Sequence, residues 1–368
     1  MTSGRQGIAY DPSGRILALV DANELLVHDG ETGEPLWREA FEEELLGVAI
    51  AGDDLVVVGE LGLLVHMSFL RRELSRLDLD ATSVTFAVHA DGRVAVAQER
   101  AVRIITRGRV QTLPRNDVGA LAFSSDGRAL LLAVGPKRST LEWVDVATLA
   151  SVGETSLALH VEAIAADESQ FFVAQGEQLD SVTTHDAPVK SIVSGLGFTL
   201  KDVIFDKATH TLALQCGRSI IDLYDAKTCA RTLRLQYPVR VVRGLAFGPK
   251  PWLGIALAGG DANRVHMGDR QVLRTPTHPG RAHQTWIVSV EDGSGTPRLE
   301  GDGPRGFKGQ PPRPALNDDQ AKALADAQLE LQHARAYGFW GPHPLFRKLL
   351  VGACFGVAMI VLRECGLL

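Results

Sequence analysis

Apolar and polar positions alternate along this chain in short runs, and the runs come in pairs. Residues 6–20, QGIAYDPSGRILALV, and 118–132, VGALAFSSDGRALLL, each hold an alternating stretch, a Gly-Arg turn and a second apolar stretch. Period-two alternation bounded by Gly, Ser and Asp predicts strand, turn, strand. Five more copies follow the same pattern: LGVAIAGDDLVVV from 46, SVTFAVHADGRVAVA from 83, VEAIAADESQFFVA from 161, LKDVIFDKATHTLAL from 200 and VRGLAFGPKPWLGIAL from 242. Their equivalent apolar positions are Tyr10, Ile50, Val88, Phe123, Ile164, Phe205 and Phe247. The period is about 40 residues, that of a four-stranded propeller blade.

The second half of each unit agrees. NELLVHDGETGEPLWR (23–38), TLEWVDVATLASVGE (140–154) and SIIDLYDAKTCARTLR (219–234) each read as strand, turn and strand, and AVRIITRGRVQTL (101–113) and NRVHMGDRQVLR (263–274) match more loosely. One four-stranded sheet cannot bury both faces, whereas a ring of them stacks face on face and leaves few open edges. The expected fold class is all-β: a seven-bladed β-propeller of four-stranded blades over residues 1–290, followed by a flexible linker and C-terminal α-helices. A β-sandwich or pair of barrels would need seven evenly spaced copies to arise without a ring. An eight-bladed ring would have to use AHQTWIVSVED (282–292), but no full blade follows it. Residues 284–290 read instead as a strand that closes or braces the ring. The first repeat begins at residue 7, too close to the start to supply an exchanged outer strand.

The repeats DPSGRILALV and SSDGRALLLA, with His28-Asp29, Val144-Asp145 and Tyr224-Asp225 ending a third strand, resemble degenerate WD-type repeats of the β-propeller superfamily. DGETGEPLWR (29–38) is similar to a quinoprotein-type repeat, with Thr-Gly in its turn and Trp in its last strand. The resemblance spans roughly residues 4–290. It implies architecture only: the Gly-His start of a WD repeat is absent, and the Trp occurs in one copy.

Beyond 290 the pattern changes. EDGSGTPRLEGDGPRGFKGQPPRPA is rich in Gly and Pro without apolar period, which marks 291–316 as a linker. Residues 317–340 read as an amphipathic helix. Asn317 is placed to cap it, Asp318 and Asp319 lie in the first turn, and Leu324, Ala327, Leu331 and Ala334 form a narrow stripe.

A last apolar helix is expected over 345–368, and it is a candidate membrane tail. Its core, 349–362, has 14 uninterrupted apolar residues. As helix that covers about 21 Å, against about 30 Å of hydrocarbon. Length alone favours burial in protein. Flanking chemistry favours a membrane: Trp340 and Phe346 resemble an interfacial aromatic cluster, Arg347 and Lys348 a cytoplasmic flank, and Arg363 is placed to snorkel. Gly352 and Gly356 form GxxxG, a close-approach motif. The expected docking residues for membrane or partner are Trp340, Phe346, Arg347, Lys348, Leu349, Gly352, Phe355, Gly356, Met359, Ile360 and Leu362.

Composition narrows the function. The chain has 368 residues and a formal charge of −6, which argues against general nucleic-acid binding. Cys216, Cys229, Cys354 and Cys365 form no CxxC pair and fit a reducing compartment. MTSGRQGIAYDPSG lacks an apolar signal-peptide core, so a cytoplasmic location, with the tail on the cytoplasmic face of a membrane, is expected.

Candidate chemistry is sparse. GLGFTL (195–200) lacks the Lys-Ser/Thr pair of a phosphate loop, and GxSxG and HExxH do not occur. Asp53-Asp54 and Asp78/Asp80 read as turn residues, and His28 and His66 as blade packing. His278 and His283 lack a third metal ligand. No polar residue recurs in one phase across the inner strands. These observations predict no catalytic residues, no cofactor and no metal. They favour a non-enzymatic interaction scaffold that binds protein partners on the propeller faces, tethered by its tail. The alternatives are a ligand-binding or hydrolytic propeller with a site in the central channel, and a membrane-active tail restrained by the propeller. Degenerate propellers with such tails resemble those of multi-component bacterial systems.

Overall fold

A computed structural model describes residues 7–275, apart from 12, 71–72, 107, 238–239, 249–251 and 259–260, together with 287–291 and 298–301. The expected helices at 317–340 and 345–368, and every docking residue from Trp340 to Leu362, lie outside the described residues.

Within them the chain folds as seven successive four-stranded antiparallel sheets. Blade 1 is β1 (Ile8–Tyr10), β2 (Ile16–Asp21), β3 (Glu24–Asp29) and β4 (Pro35–Ala40). Blade 2 is β5 (Leu45–Ala51), β6 (Asp54–Gly59), β7 (Leu63–Ser68) and β8 (Glu73–Asp78). Blade 3 is β9 (Ser83–Val88), β10 (Val94–Gln98), β11 (Val102–Thr106) and β12 (Arg109–Leu113). Blade 4 is β13 (Ala120–Phe123), β14 (Ala129–Val134), β15 (Thr140–Asp145) and β16 (Ser151–Ser156). Blade 5 is β17 (Val161–Ala166), β18 (Phe171–Gln175), β19 (Gln178–Val182) and β20 (Lys190–Val193). Blade 6 is β21 (Leu200–Asp206), β22 (Thr211–Cys216), β23 (Ile220–Asp225) and β24 (Arg231–Gln236). Blade 7 is β25 (Val242–Phe247), β26 (Trp252–Leu257), β27 (Asp261–His266) and β28 (Val272–Thr275). This is the seven-bladed β-propeller that the repeats predict.

The alternation decides where each side chain goes. The middle strands of a blade are buried on both faces, and the outer strands expose polar residues. Successive blades share apolar layers, as between blades 3 and 4, where Leu121, Phe123 and Leu130 meet Val102 and Ile104. The third turn of blades 1, 4 and 6 is one repeated device. Asp29, Asp145 and Asp225 each accept the backbone N–H and hydroxyl of the threonine three residues on, at 2.7–3.0 Å. Donation from Thr32, Thr148 and Thr228 holds the three carboxyls below the usual range.

The strand expected over 284–290 is β29 (Ile287–Glu291), but it does not close the ring. It pairs with β24 on the outer edge of blade 6 and is followed by β30 (Arg298–Gly301), so that sheet has six strands. Its Val288 and Val290 enter the layer between blades 6 and 7, and Arg231 donates to Glu291 at 2.9 Å. Strand β30 falls inside the stretch whose composition predicts a linker. The open edge of β24 and the two valines hold the hairpin where composition alone does not.

Closure falls to blades 1 and 7, each built from consecutive strands with no exchange between them. The layer between them is thin: among the described residues, Ile8, Tyr10, Leu17, Leu19 and Leu26 cluster with Ala256 and Ala262 of blade 7, with partly buried Ala246 beside them. Blade 7 approaches so closely that a Cβ on Gly254 would lie 2.7 Å from Tyr10 Cε2. Arg264 crosses the seam. It is 3% exposed, and it donates from Nη1 to the carbonyl of Gly30 at 3.1 Å and from Nη2 to that of Thr32 at 2.9 Å. Nη1 also donates to the Glu31 carbonyl, and the guanidinium lies 5.6 Å from the Trp252 ring. Gly33, at φ +77°, makes room, since a Cβ there would sit 2.9 Å from Nη2.

Arg264→Leu is therefore expected to lower unfolding stability in urea by about 2–4 kcal/mol, because three carbonyls lose a charged donor in a buried seam. Arg264→Lys should recover less than half, lacking the planar fork. An Arg264→Leu protein as stable as the parent would contradict a latch.

Candidate functional site

The innermost strands surround the ring axis, and the two ends of the channel differ. At one end Tyr10, Ile50, Val88, Phe205 and Phe247, five of the expected equivalent positions, line a cavity of about 250 Å³ with neighbours such as Ala49 and Leu245. Phe123 and Ile164 are fully buried in the layers between blades instead. Burial pushes the Tyr10 hydroxyl well above its ordinary pKa, with Arg264 opposing.

At the other end polar residues do share a position. In blades 2, 3, 5, 6 and 7 the inner strand carries a one-residue β-bulge, between Leu45 and Gly47, Ser83 and Thr85, Val161 and Ala163, Leu200 and Asp202, and Val242 and Gly244. The extra residues are Leu46, Val84, Glu162, Lys201 and Arg243. A bulge re-aims its side chain relative to the regular pleat. Lys201 donates to Glu162 across adjacent blades at 2.9 Å. In blade 4 the matching position is Gly119, covered by the side chain of Arg138.

Three consecutive blades thus carry a charged residue in one phase, which corrects the expectation that none does. Counting from the bulge also shows that the blade 5 counterpart of Phe205 is Ala166, not Ile164: Ala163 and Asp202 follow their bulges, and each counterpart lies three residues on. The signal was present as the second residue of VEA, LKD and VRG. Aligning on Ile164 displaced it by two.

Next to Lys201, Asp202 is buried, and its Oδ1 accepts the Val203 N–H at 2.8 Å. Burial pushes its carboxyl up to about 7. His28 is buried with Nδ1 3.2 Å from the Gly33 carbonyl oxygen, and burial lowers the pKa of His66, as blade packing requires. Asp78 accepts the Asp80 N–H at 2.9 Å, the expected turn. Among the described residues no group of three His, Cys, Asp or Glu side chains is placed to hold a metal ion, and no helix is long and apolar enough to cross a membrane. Cys216 and Cys229 are free thiols, one buried and one exposed. The bulge residues of blades 5 to 7 form a rim of mixed charge.

The fold is a seven-bladed β-propeller of four-stranded blades, and solved structures share it. The β-propeller domain of Cps50 (Swd1) from Myceliophteria thermophila matches with a TM-score of 0.60 at 11% identity, over 70% of this chain and 94% of that one. No protein-family model and no curated protein sequence matches the chain.

The Asp202 carboxyl sets a pH dependence. Its folded pKa lies above its unfolded value of 3.8, so its contribution to stability is complete below about pH 4 and is lost as pH rises to about 7. Asp202→Asn keeps the bond to the Val203 N–H. It should raise stability at neutral pH by up to about 3 kcal/mol and flatten the unfolding midpoint across that window. A midpoint that stays as pH-dependent in the variant as in the parent would contradict this assignment.

Proposed function

We propose that the chain is a non-enzymatic protein-interaction scaffold whose C-terminal segment fixes it to a membrane or a larger assembly on the cytoplasmic side. The observation that carries this reading is the division of labour along the axis. The channel end beneath Tyr10, Phe205 and Phe247 is lined by apolar side chains and backbone, and the charged residues at the other end form a rim among loops rather than a convergent cleft. Such a rim recognises surfaces and supplies no nucleophile with its base. The propeller fold is compatible with many activities and selects none by itself. A second reading, an anionic ligand held at the channel mouth, draws on Arg138, Lys201 and Arg243; it adds binding but no reaction.

The test compares the full chain with one ending at Gly341 by alkaline carbonate extraction and by chemical cross-linking in the native host. The full chain is expected to stay in the washed membrane. The truncated chain is expected to become soluble and keep the same cross-linked protein partner. If both chains are soluble, the tail docks on protein and the membrane half of the proposal falls. If both return only themselves, the scaffold reading falls.

A further inference from the structure

The face that carries the bulge rim is built from the second turn of each blade and the connections between blades, and its charge is divided. On blade 2 the turn 59–63 raises Leu61, 64% exposed, between two connections: Leu61 N–H donates to Glu43 Oε1 at 3.0 Å, and Ser83 N–H to the Glu60 carbonyl at 2.8 Å. Around it Glu42, Glu44, Asp78 and Asp80 are exposed, and no described cation pairs with them. Half-way round the ring, three successive connections present Leu159, Phe198 and Val241, each at least a third exposed. Beside these stand Lys201, Arg218 and Arg243, all exposed, with Glu177 among them and Glu162 paired to Lys201 at 2.9 Å. The connections are pinned to the turns: Leu159 N–H donates to Gln175 Oε1 at 3.1 Å, Gly217 N–H to the Thr199 carbonyl and Val242 N–H to the Arg218 carbonyl.

We infer that this face pairs with the same face of a second copy of the chain. A two-fold axis lying in the face, at right angles to the line from Leu61 to Phe198, lays the two ends of that line over one another. The acidic surround of Leu61 then meets Arg218 and Arg243, and Leu61 itself meets Phe198 and its apolar neighbours, twice over. Placing knob and socket on opposite sides of one face with opposite charge is what an isologous contact requires. Like charges would meet in any closed arrangement that set acid over acid. Pairing of this kind occupies one face and leaves the other, with the apolar cavity, open to a different partner.

Sedimentation equilibrium of the full chain in density-matched non-ionic detergent tests this. A monomer–dimer equilibrium is expected in about 0.05 M salt, weakened about tenfold or more in about 0.5 M, because the charge pairs lie at a solvent-exposed rim. Leu61→Glu should give monomers. The double reversals E42K/E44K and R218E/R243E should each give monomers, with unchanged circular dichroism, and a one-to-one mixture of the two should dimerise again. A parent chain that is monomeric at low salt would overturn the inference. So would dimers that persist in both reversed variants, as contacts through residues 349–362 or another face would give. Folded variants that fail to associate when mixed would overturn it as well.

Discussion

Blade 7 has to meet blade 1, and here it does so through side chains instead of a shared sheet. In the interior of the ring each layer is filled by large apolar side chains from both neighbours, as Phe171, Trp143 and Val182 fill the layer between blades 4 and 5. At the seam, blade 7 contributes alanines and a buried arginine. Apolar burial stabilises in proportion to area, so a layer built on Ala256 and Ala262 supplies less than its counterparts. A guanidinium spanning three carbonyls offsets part of the difference by hydrogen bonding, and its fork holds the turn of blade 1 in one position. Close approach follows from the same choice, with Gly33 and Gly254 leaving space for Arg264 and Tyr10.

A ring held in this way keeps its inner strands at fixed spacing, and the bulges use that spacing. An extra residue in β5, β9, β17, β21 and β25 turns a side chain away from the inter-blade layer. In blades 5 to 7 that residue is charged, so the channel is apolar at one end and ionic at the other. The connections that meet at the ionic end are the same ones that expose Leu159, Phe198 and Val241. On the proposed reading, function on this scaffold rests on which loops sit round the rim and not on a pocket within it.

The blades were legible because several repeat a turn that tolerates few alternatives: Gly-Arg after the first strand of blades 1, 3 and 4, and Asp followed three residues later by Thr after the third strand of blades 1, 4 and 6. Those residues act locally, within six positions, and a reader of one strand sees them. The seam was not legible, because Arg264 and Gly30 are 234 residues apart and nothing local marks an arginine that will be buried. The bulges were half legible: the letters Glu162, Lys201 and Arg243 stood in line, but a single added residue shifts the phase of everything after it. Of the hairpin, β29 was legible, and β30 was hidden by its composition, since RLEG reads as linker until β24 and β29 offer an edge.

Amide hydrogen exchange read strand by strand tests the side-chain closure most directly. Closure at a thin seam predicts that β1, β2, β25 and β26 open at a lower free energy than β13, β14 and β15, which lie between two full apolar layers. Protection in β1 and β25 equal to or above that in β13 would contradict it, and would mean that the ring is closed by something other than Arg264 and the alanine layer.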